Sequence, residues 1–413
     1  MTLTNPYFVI ALVALVVSFK LDLISRLLNL AAFRKEPPES LRDVIDDEKH
    51  ERSREYLAET NRFEIMQAGF SLAVMLLFWI CGGFGHLDQW VRGFEYGPVT
   101  TGLVVIGLLV LAGNVLSIPW SIYKTFVLEE KFGFNRTTPG TFIADLIKGL
   151  ILTALIGAPL LALILYFFET FDHAWIYVWV TVTGVSLLLA YLGPRLIFPL
   201  FNKFEPLEDG DLKDAINKLA EECEFPVGEI SVIDGSRRSS KANAFFTGFG
   251  NTKRIALFDT LIEKNSQDEI VAVLAHEIGH FKRGHIMQSI VVSVINQGVL
   301  FFLLGLFLKN EQLFAAFAVP ETSVYLSLVF FGMLYQPISL LLSVALNALS
   351  RRNEFQADAY ASEVTGKPDH LSSALKKLSV DHLSHPTPHP LFVALNYSHP
   401  PLLERLAALG GKA

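Results

Sequence analysis

Apolar positions in this chain fall in long blocks, and polar positions are crowded into the gaps between them. Seven blocks stand out, at approximately 7–31, 63–87, 98–120, 145–168, 174–200, 286–308 and 322–349. Each is close to the ~20 residues that a helix needs to cross a hydrocarbon core of about 30 Å. Lipid offers no hydrogen-bond partner to a bare backbone, so these blocks are predicted to be helices. Lys20 and Asp22 interrupt the first, and are expected to snorkel or to face a polar interior. Gly113, Pro119, Gly157, Pro159 and Pro337 fall inside blocks, where they are tolerated and can kink the helix.

The polar stretches carry shorter periodicities. In "DLKDAINKLAEECEF" the residues Leu212, Ile216, Leu219 and Ala220 share a helical face. "EISVIDGS" reads as a strand ending in a turn, and "NAFFTGFG" and "RIALFDTL", separated by "NTK", read as a hairpin. The tail is helical from 351, passes a Pro-rich loop, "SHPTPHP", and ends in a short helix around "PLLERLAAL". Four parts follow: 1–200 with five spans, a soluble insertion at 201–285, two spans within 286–349, and a polar tail at 350–413.

Composition agrees with a membrane protein. Of the 413 residues, 51% are hydrophobic, too many for an ordinary soluble chain of this length. The net charge of -7 is small for the size, and no nucleic-acid partner is expected. Cys81 and Cys223 are the only cysteines, so neither a disulfide framework nor a Cys-based zinc site is available. The opening "MTLTNPYFVIALVALVV" lacks a basic n-region and a small-residue cleavage site, and is read as a retained span.

Basic residues orient the spans. The first connection holds Arg34, Lys35, Arg42, Lys49, Arg52, Arg54 and Arg62, although it is acidic as well; the second holds only Arg92. The third has Lys124, Lys131 and Arg136, the fourth none, the fifth is the long basic insertion, the sixth has only Lys309, and the tail begins with Arg351 and Arg352. This alternation predicts an outward N-terminus and a cytoplasmic insertion and tail.

The candidate chemistry lies in "VAVLAHEIGHFKRGHI", residues 271–286. His276 and His280 are at i and i+4, so on a helix they face one point, with Glu277 beside them. H-E-x-x-H on a helix is the signature of zinc metalloproteases, but a pentapeptide also arises by chance. Catalytic zinc takes three protein ligands and a water. A metzincin would place a third histidine at 286, which is Ile. His285 lies about 900° further round a straight helix than His276 and so points away, which suits a structural or supporting role.

The remaining source is a second helix. In "SRRNEFQADAYA", residues 350–361, Glu354 and Asp358 are at i and i+4 and fit the gluzincin pattern N-E-x-x-x-D with Asn353. There the glutamate binds metal and the aspartate accepts the far N–H of a ligand histidine. The plainer alternative is a juxtamembrane helix with solvated charges. Topology bears on the choice: His276 precedes the sixth span and Glu354 follows the seventh, so a helical hairpin returns them to one membrane face.

These blocks resemble the CAAX prenyl protease type I family, the sterile-24-type membrane zinc endopeptidases. The resemblance rests on "AHEIGHFKRGH", "SRRNEFQADAYA", "YSHPPLLERL", "LEEKFGFNRTTPGTFIADLIKG" at 128–149 and "ANAFFTGFGNTKRIALFDTLI", and covers almost the whole chain. It implies an all-α polytopic fold, a barrel of seven transmembrane helices around a large chamber. A small α+β gluzincin-type catalytic domain would cap it on the cytoplasmic side, with one Zn2+ per chain held by His276, His280 and Glu354. Glu277 would be the general base that takes a proton from the attacking water and passes it to the leaving amine. Asp358 would orient a ligand histidine, with Arg405 paired to an acidic residue such as Asp358. His399 matches a histidine that stabilises the oxyanion. Asn243 and Ala244 resemble the strand edge on which substrate is laid. His382, His385 and His389 match no motif, and are expected to be loop residues on a surface segment.

The family removes the C-terminal tripeptide from isoprenylated C-a-a-X proteins, so the expected partners are a peptide or protein isoprenylated at its C-terminus and the lipid bilayer. The ending "LGGKA" has no dilysine signal, which favours a bacterial inner membrane over the endoplasmic reticulum, with a role in membrane-protein quality control as the alternative. A heat-shock-type membrane protease has fewer spans than the five found before residue 201. A scaffold or transporter with structural zinc would need a closed four-ligand site.

Overall fold

The computed structural model describes residues 4–247 and 253–410. Among them, seven helices are long and apolar enough to cross a membrane: Pro6–Ala31, Asp47–Ile80, Pro98–Glu129, Pro139–Thr170, Ala174–Phe201, His285–Phe307 and Val324–Thr365, here spans 1 to 7. Each contains most of one apolar block, but several boundaries differ from expectation, most of all in spans 2 and 7. Span 2 begins sixteen residues early, at Asp47, because the charged stretch before the block is itself helical; Asp46 caps it by accepting from Lys49 N at 2.8 Å. It also stops at Ile80. Gly82, at φ 73°, turns the chain into a separate short helix, Gly83–Arg92. Span 7 continues unbroken to Thr365, so the 350–361 motif sits on an extension of a membrane helix beyond its apolar block.

The spans form a ring. Span 1 packs against spans 2 and 7, span 7 against 6, 6 against 5, 5 against 4, and 4 against 3. Phe63 and Phe70 of span 2 meet Trp120 of span 3, which closes it. Only 6% to 22% of each span's apolar window is buried. A close-packed bundle would bury far more; a ring leaves both its outer and inner faces uncovered. At the end away from the zinc-motif helix an aromatic plug fills the ring. Phe317 and Phe330 stack at 3.9 Å, Trp79 stacks on Phe317, and the Trp79 indole donates to Ala316 O at 3.0 Å. Asp22 has a polar partner within the ring: it accepts from Arg26 at 2.7 Å, and Arg26 also pairs with Glu64 of span 2.

The soluble part is built on four strands, β1 Phe204–Pro206, β2 Val227–Ile233, β3 Ala244–Thr247 and β4 Lys253–Phe258, in the order β1-β2-β4-β3. β3 and β4 are antiparallel, with Ala244 opposite Leu257 and Phe246 opposite Ile255, and β3 is an edge strand. Behind the sheet, Ile216 and Leu219 of the helix Asp211–Glu222 pack with Ile255, Leu257, Ile270, Leu274 and Ile278. Two clamps tie this domain to the membrane helices. Arg238 makes a bidentate pair with Asp145 at 2.8 and 3.0 Å, and Lys241 reaches Glu129 and Tyr56 over the Phe134 ring.

The "SHPTPHP" segment is not a free surface loop. His385 is buried, lies against the Phe33 ring at a tilt of 42°, and hydrogen-bonds through Nε2 to Asn29 O of span 1 at 2.8 Å. His389 caps the helix Pro390–Asn396 by accepting from Leu391 N. Proline flanks gave no hint that span 1 would cover this turn.

Candidate metal centre

The motif helix, Gln267–Lys282, starts at a capping box in which Ser266 and Glu269 satisfy each other's backbone N–H groups. Its apolar first half is greasy because Ile270, Leu274 and Ile278 face the sheet core. That leaves His276 and His280 facing span 7. Gly279 lets the two helices touch: a Cβ there would lie 3.1 Å from the Ala357 backbone and 3.2 Å from Tyr360 Cβ. Three donors converge across this contact, from His276, His280 and Glu354.

The distances test whether the trio suits an ion. His276 Nε2 and His280 Nε2 are 3.2 Å apart. Glu354 Oε2 is 3.4 Å from His276 Nε2, and Oε1 is 3.3 Å from His280 Nε2. A tetrahedral ion with bonds of about 2.0–2.1 Å needs ligands about 3.3–3.4 Å apart. Glu354 Oε2 is buried with no hydrogen-bond partner among the described residues, as a carboxylate oxygen reserved for a cation would be. Three corners of a tetrahedron are thus in place for a divalent ion.

Around them stands a polar support. His276 Nδ1 donates to Asp358 Oδ1 at 2.7 Å, which leaves Nε2 as the lone-pair nitrogen towards the site. Arg405 grips Asp358 with Nε at 2.8 Å and a terminal nitrogen at 2.6 Å, and stands 3.7 Å from Glu354 Oε2. Burial draws the His276 imidazole towards its neutral form, but Asp358 and Glu354 outweigh it and raise its pKa to about 9. Burial pushes the Glu277 carboxyl up, and the neighbouring imidazoles offset this only in part.

His285 does not point away. The helix breaks at Gly284, φ 74°, and His285 opens span 6 in a new direction. Its Nδ1 lies 3.1 Å from His280 Nδ1 and its Nε2 lies 2.9 Å from Gln356 Oε1. The straight-helix extrapolation failed at the glycine, and His285 supports the second imidazole as Asp358 supports the first. Gln356 had no sequence signal beyond its place in the 350–361 motif; nor did Gln288, which accepts from Asn353 Nδ2 at 2.8 Å.

His399 stands on the open side, its side chain 66% exposed and its Nε2 3.3 Å from Glu354 Oε1. Asn243 and Ala244 lie at the start of the edge strand, with Asn243 Oδ1 accepting from Ala244 N at 2.9 Å. Both border a cleft of about 550 Å³ that also contains Glu277, His399 and Arg405.

Comparison with known proteins matches this geometry to a family. Residues 26–203 match the model of the CAAX prenyl protease N-terminal part, five membrane helices, and residues 206–413 match peptidase family M48. The human CAAX prenyl protease 1 homolog is 38% identical, over 90% of this chain and 88% of its own length. The chain belongs to the CAAX prenyl protease 1 family. The Saccharomyces cerevisiae CAAX prenyl protease 1 is likewise 38% identical over 90% of this chain. The crystal structure of S. mikatae Ste24p superposes with a TM-score of 0.93 at 36% identity, covering 98% of this chain and 99% of that one. The protein is therefore a multi-pass membrane metallopeptidase built on the family's architecture.

Proposed function

We propose that this metalloendopeptidase uses zinc at His276, His280 and Glu354 to remove the C-terminal tripeptide of isoprenylated C-a-a-X proteins at the cytoplasmic membrane face. The observation that carries the reading is the tetrahedral spacing of the three donors beside Glu277, on a chain whose relatives are named CAAX prenyl proteases. The alternation of basic connections supports the orientation, with the N-terminus outside. On this reading residues 1–200 and 286–349 supply the membrane ring, and 201–285 and 350–413 the catalytic part.

A divalent ion at this site would polarise the scissile carbonyl and acidify the attacking water. The chain's own residues do the rest. Glu277 takes the proton from that water and returns it to the leaving amine; its raised pKa brings it nearer to working pH, which suits both tasks. Asp358 fixes the His276 tautomer, and Arg405 neutralises Asp358 and holds it in register. His399, on the open side, donates to the oxygen that gains charge. The free edge of β3 at Asn243 and Ala244 pairs with the substrate backbone and keeps it extended.

Two assays test the reading. Glu277→Gln should retain its metal and lose peptide cleavage below detection; cleavage that persists rejects the general-base role. Purified wild type should turn over a farnesylated C-a-a-X peptide faster than its unprenylated twin. Equal turnover of the two peptides replaces prenyl-specific processing with general membrane proteolysis.

A further inference from the structure

Glu277 borders two cavities. β3 runs past both: Ala244 borders the first, and Phe245 and Phe246 border the second. An extended peptide paired with the free edge of β3 therefore passes from one cavity to the other across Glu277.

The two cavities differ in chemistry. The first has a mixed lining, in which Leu371, Leu375 and Leu378 stand beside His382, His399 and Arg405. The Nε2 of His382 is buried there without a hydrogen-bond partner among the described residues, so this cavity suits a polar occupant. The second, about 620 Å³, is mainly apolar, walled by Phe198, Phe245, Phe246, Phe281, Met287 and Ile290, with His280, His285 and Asn353 at its margin towards the metal centre. Lys253 also borders it, but its ammonium lies over the Phe281 and Phe225 rings, 3.2 and 4.5 Å from their centroids, and is held by them. The wall is made by the last turn of span 5, β3, the end of the motif helix and the first turns of span 6. Phe198, Phe281 and Met287 are 39%, 37% and 62% exposed there. An uncovered apolar lining beside a catalytic carboxylate marks a binding site for an apolar group.

We infer that the second cavity holds the isoprenyl chain of the substrate cysteine, and that the first holds the tripeptide to be released. The inference rests on the reading of this chain as a processor of isoprenylated C-a-a-X proteins. The two ends of such a substrate are unlike in the same way as the two cavities. The isoprenyl thioether is apolar throughout, whereas the tripeptide ends in a free carboxylate. Burying that carboxylate among phenylalanines would leave a charge unpaired, while His382, whose Nε2 is not engaged by another described residue, offers it a donor in the first cavity. The assignment also fixes direction. The cysteine lies towards Phe246 and the C-terminus towards Asn243, so the substrate runs antiparallel to β3, the pairing that hydrogen-bonds slightly better. The isoprenyl chain would lie at the ends of spans 5 and 6 that meet the soluble part.

Filling the cavity tests this. Met287→Trp and Ile290→Trp, purified as full chains and checked for metal content, are assayed on farnesylated, geranylgeranylated and unprenylated forms of one peptide. The ratio of farnesylated to unprenylated kcat/KM should fall about tenfold or more, with the longer chain affected most. Leu375→Trp, in the first cavity, should alter all three substrates alike. A second measurement is independent of those variants. A peptide with a diazirine on its terminal isoprene unit, trapped on Glu277→Gln, should label residues 281–290 or Phe198. Adducts on 371–378, or on bilayer lipid alone, overturn the assignment, as do unchanged ratios in both tryptophan variants. If wild type itself shows no preference for the prenylated peptide, the functional reading falls and this assignment falls with it. If wild type keeps the preference while the labels land elsewhere, only the assignment falls.

Discussion

The two ends of span 7 are held by opposite means. At its start Val324, Leu326, Phe330 and Phe331 are buried in the aromatic plug, and the one buried charge there among the described residues, Asp88, accepts from the Tyr325 hydroxyl and pairs with Arg92. At its other end Glu354 and Asp358 are buried among His276, His280 and Arg405, where every group is another's partner. Between them, from 334 to 352, no residue is buried. The middle is held by half-exposed contacts instead, Tyr335 to Asn296 of span 6, Asn347 to Leu395 O and Arg351 to Val393 O and Tyr397 O. The difference teaches where tolerance should lie. Apolar packing gives way by degrees when a side chain is trimmed, whereas deleting one member of a buried polar set strands the others.

Substitutions can break that contrast, taken here from the largest expected effect on catalysis to the smallest. Glu354→Ala removes a corner of the site, so metal content and cleavage should both fall below detection, measured on the same purified sample. Asp358→Asn keeps the shape but loses the charge on His276 Nδ1 and frees Arg405; metal affinity should drop by ~10–100-fold in a chelator titration. An unchanged affinity would show that the carboxylate is not supporting the imidazole. Gly279→Ala forces a methyl against the Ala357 backbone, which cannot retreat, at a cost of ~1–3 kcal/mol. It should lower the melting temperature and loosen metal retention together.

pH probes the polar end alone. In the metal-free site His276 titrates at about 9 rather than 6.5. Its proton then adds stability that is complete below pH 6.5 and is lost as pH rises through about 9. Metal-free protein should melt lower at the upper end of that window, and ion uptake within it should release a proton. At the apolar end, Phe330→Leu should cost on the order of 1–3 kcal/mol of stability and leave metal content and kcat untouched at a permissive temperature. A loss of metal in that variant would mean that the two ends are coupled through the uncovered middle.

Much of the fold was legible because lipid imposes it. Blocks such as 98–120 and 174–200 have few alternatives once every backbone group must pair internally. The meeting of His276 and His280 with Glu354 followed from two local spacings and one hairpin. What escaped the sequence was tertiary. The helical lead-in from Asp47 carries no lipid signal because it stands in water. His285 was misplaced because a single left-handed glycine redirected the chain. The burial of His385 depends on Phe33 and Asn29, more than 350 residues away. The division of the cleft by Glu277 exists only once β3, the motif helix and the mouth of span 6 are assembled.

The central claim is that span 7 returns the third ligand to the two imidazoles of the motif helix. Anomalous diffraction at the zinc edge from crystals of the purified protein tests it most directly. The account predicts one peak per chain, about 2.0–2.2 Å from His276 Nε2, His280 Nε2 and a Glu354 oxygen. No peak, or a peak whose third protein ligand is some other residue, would contradict it.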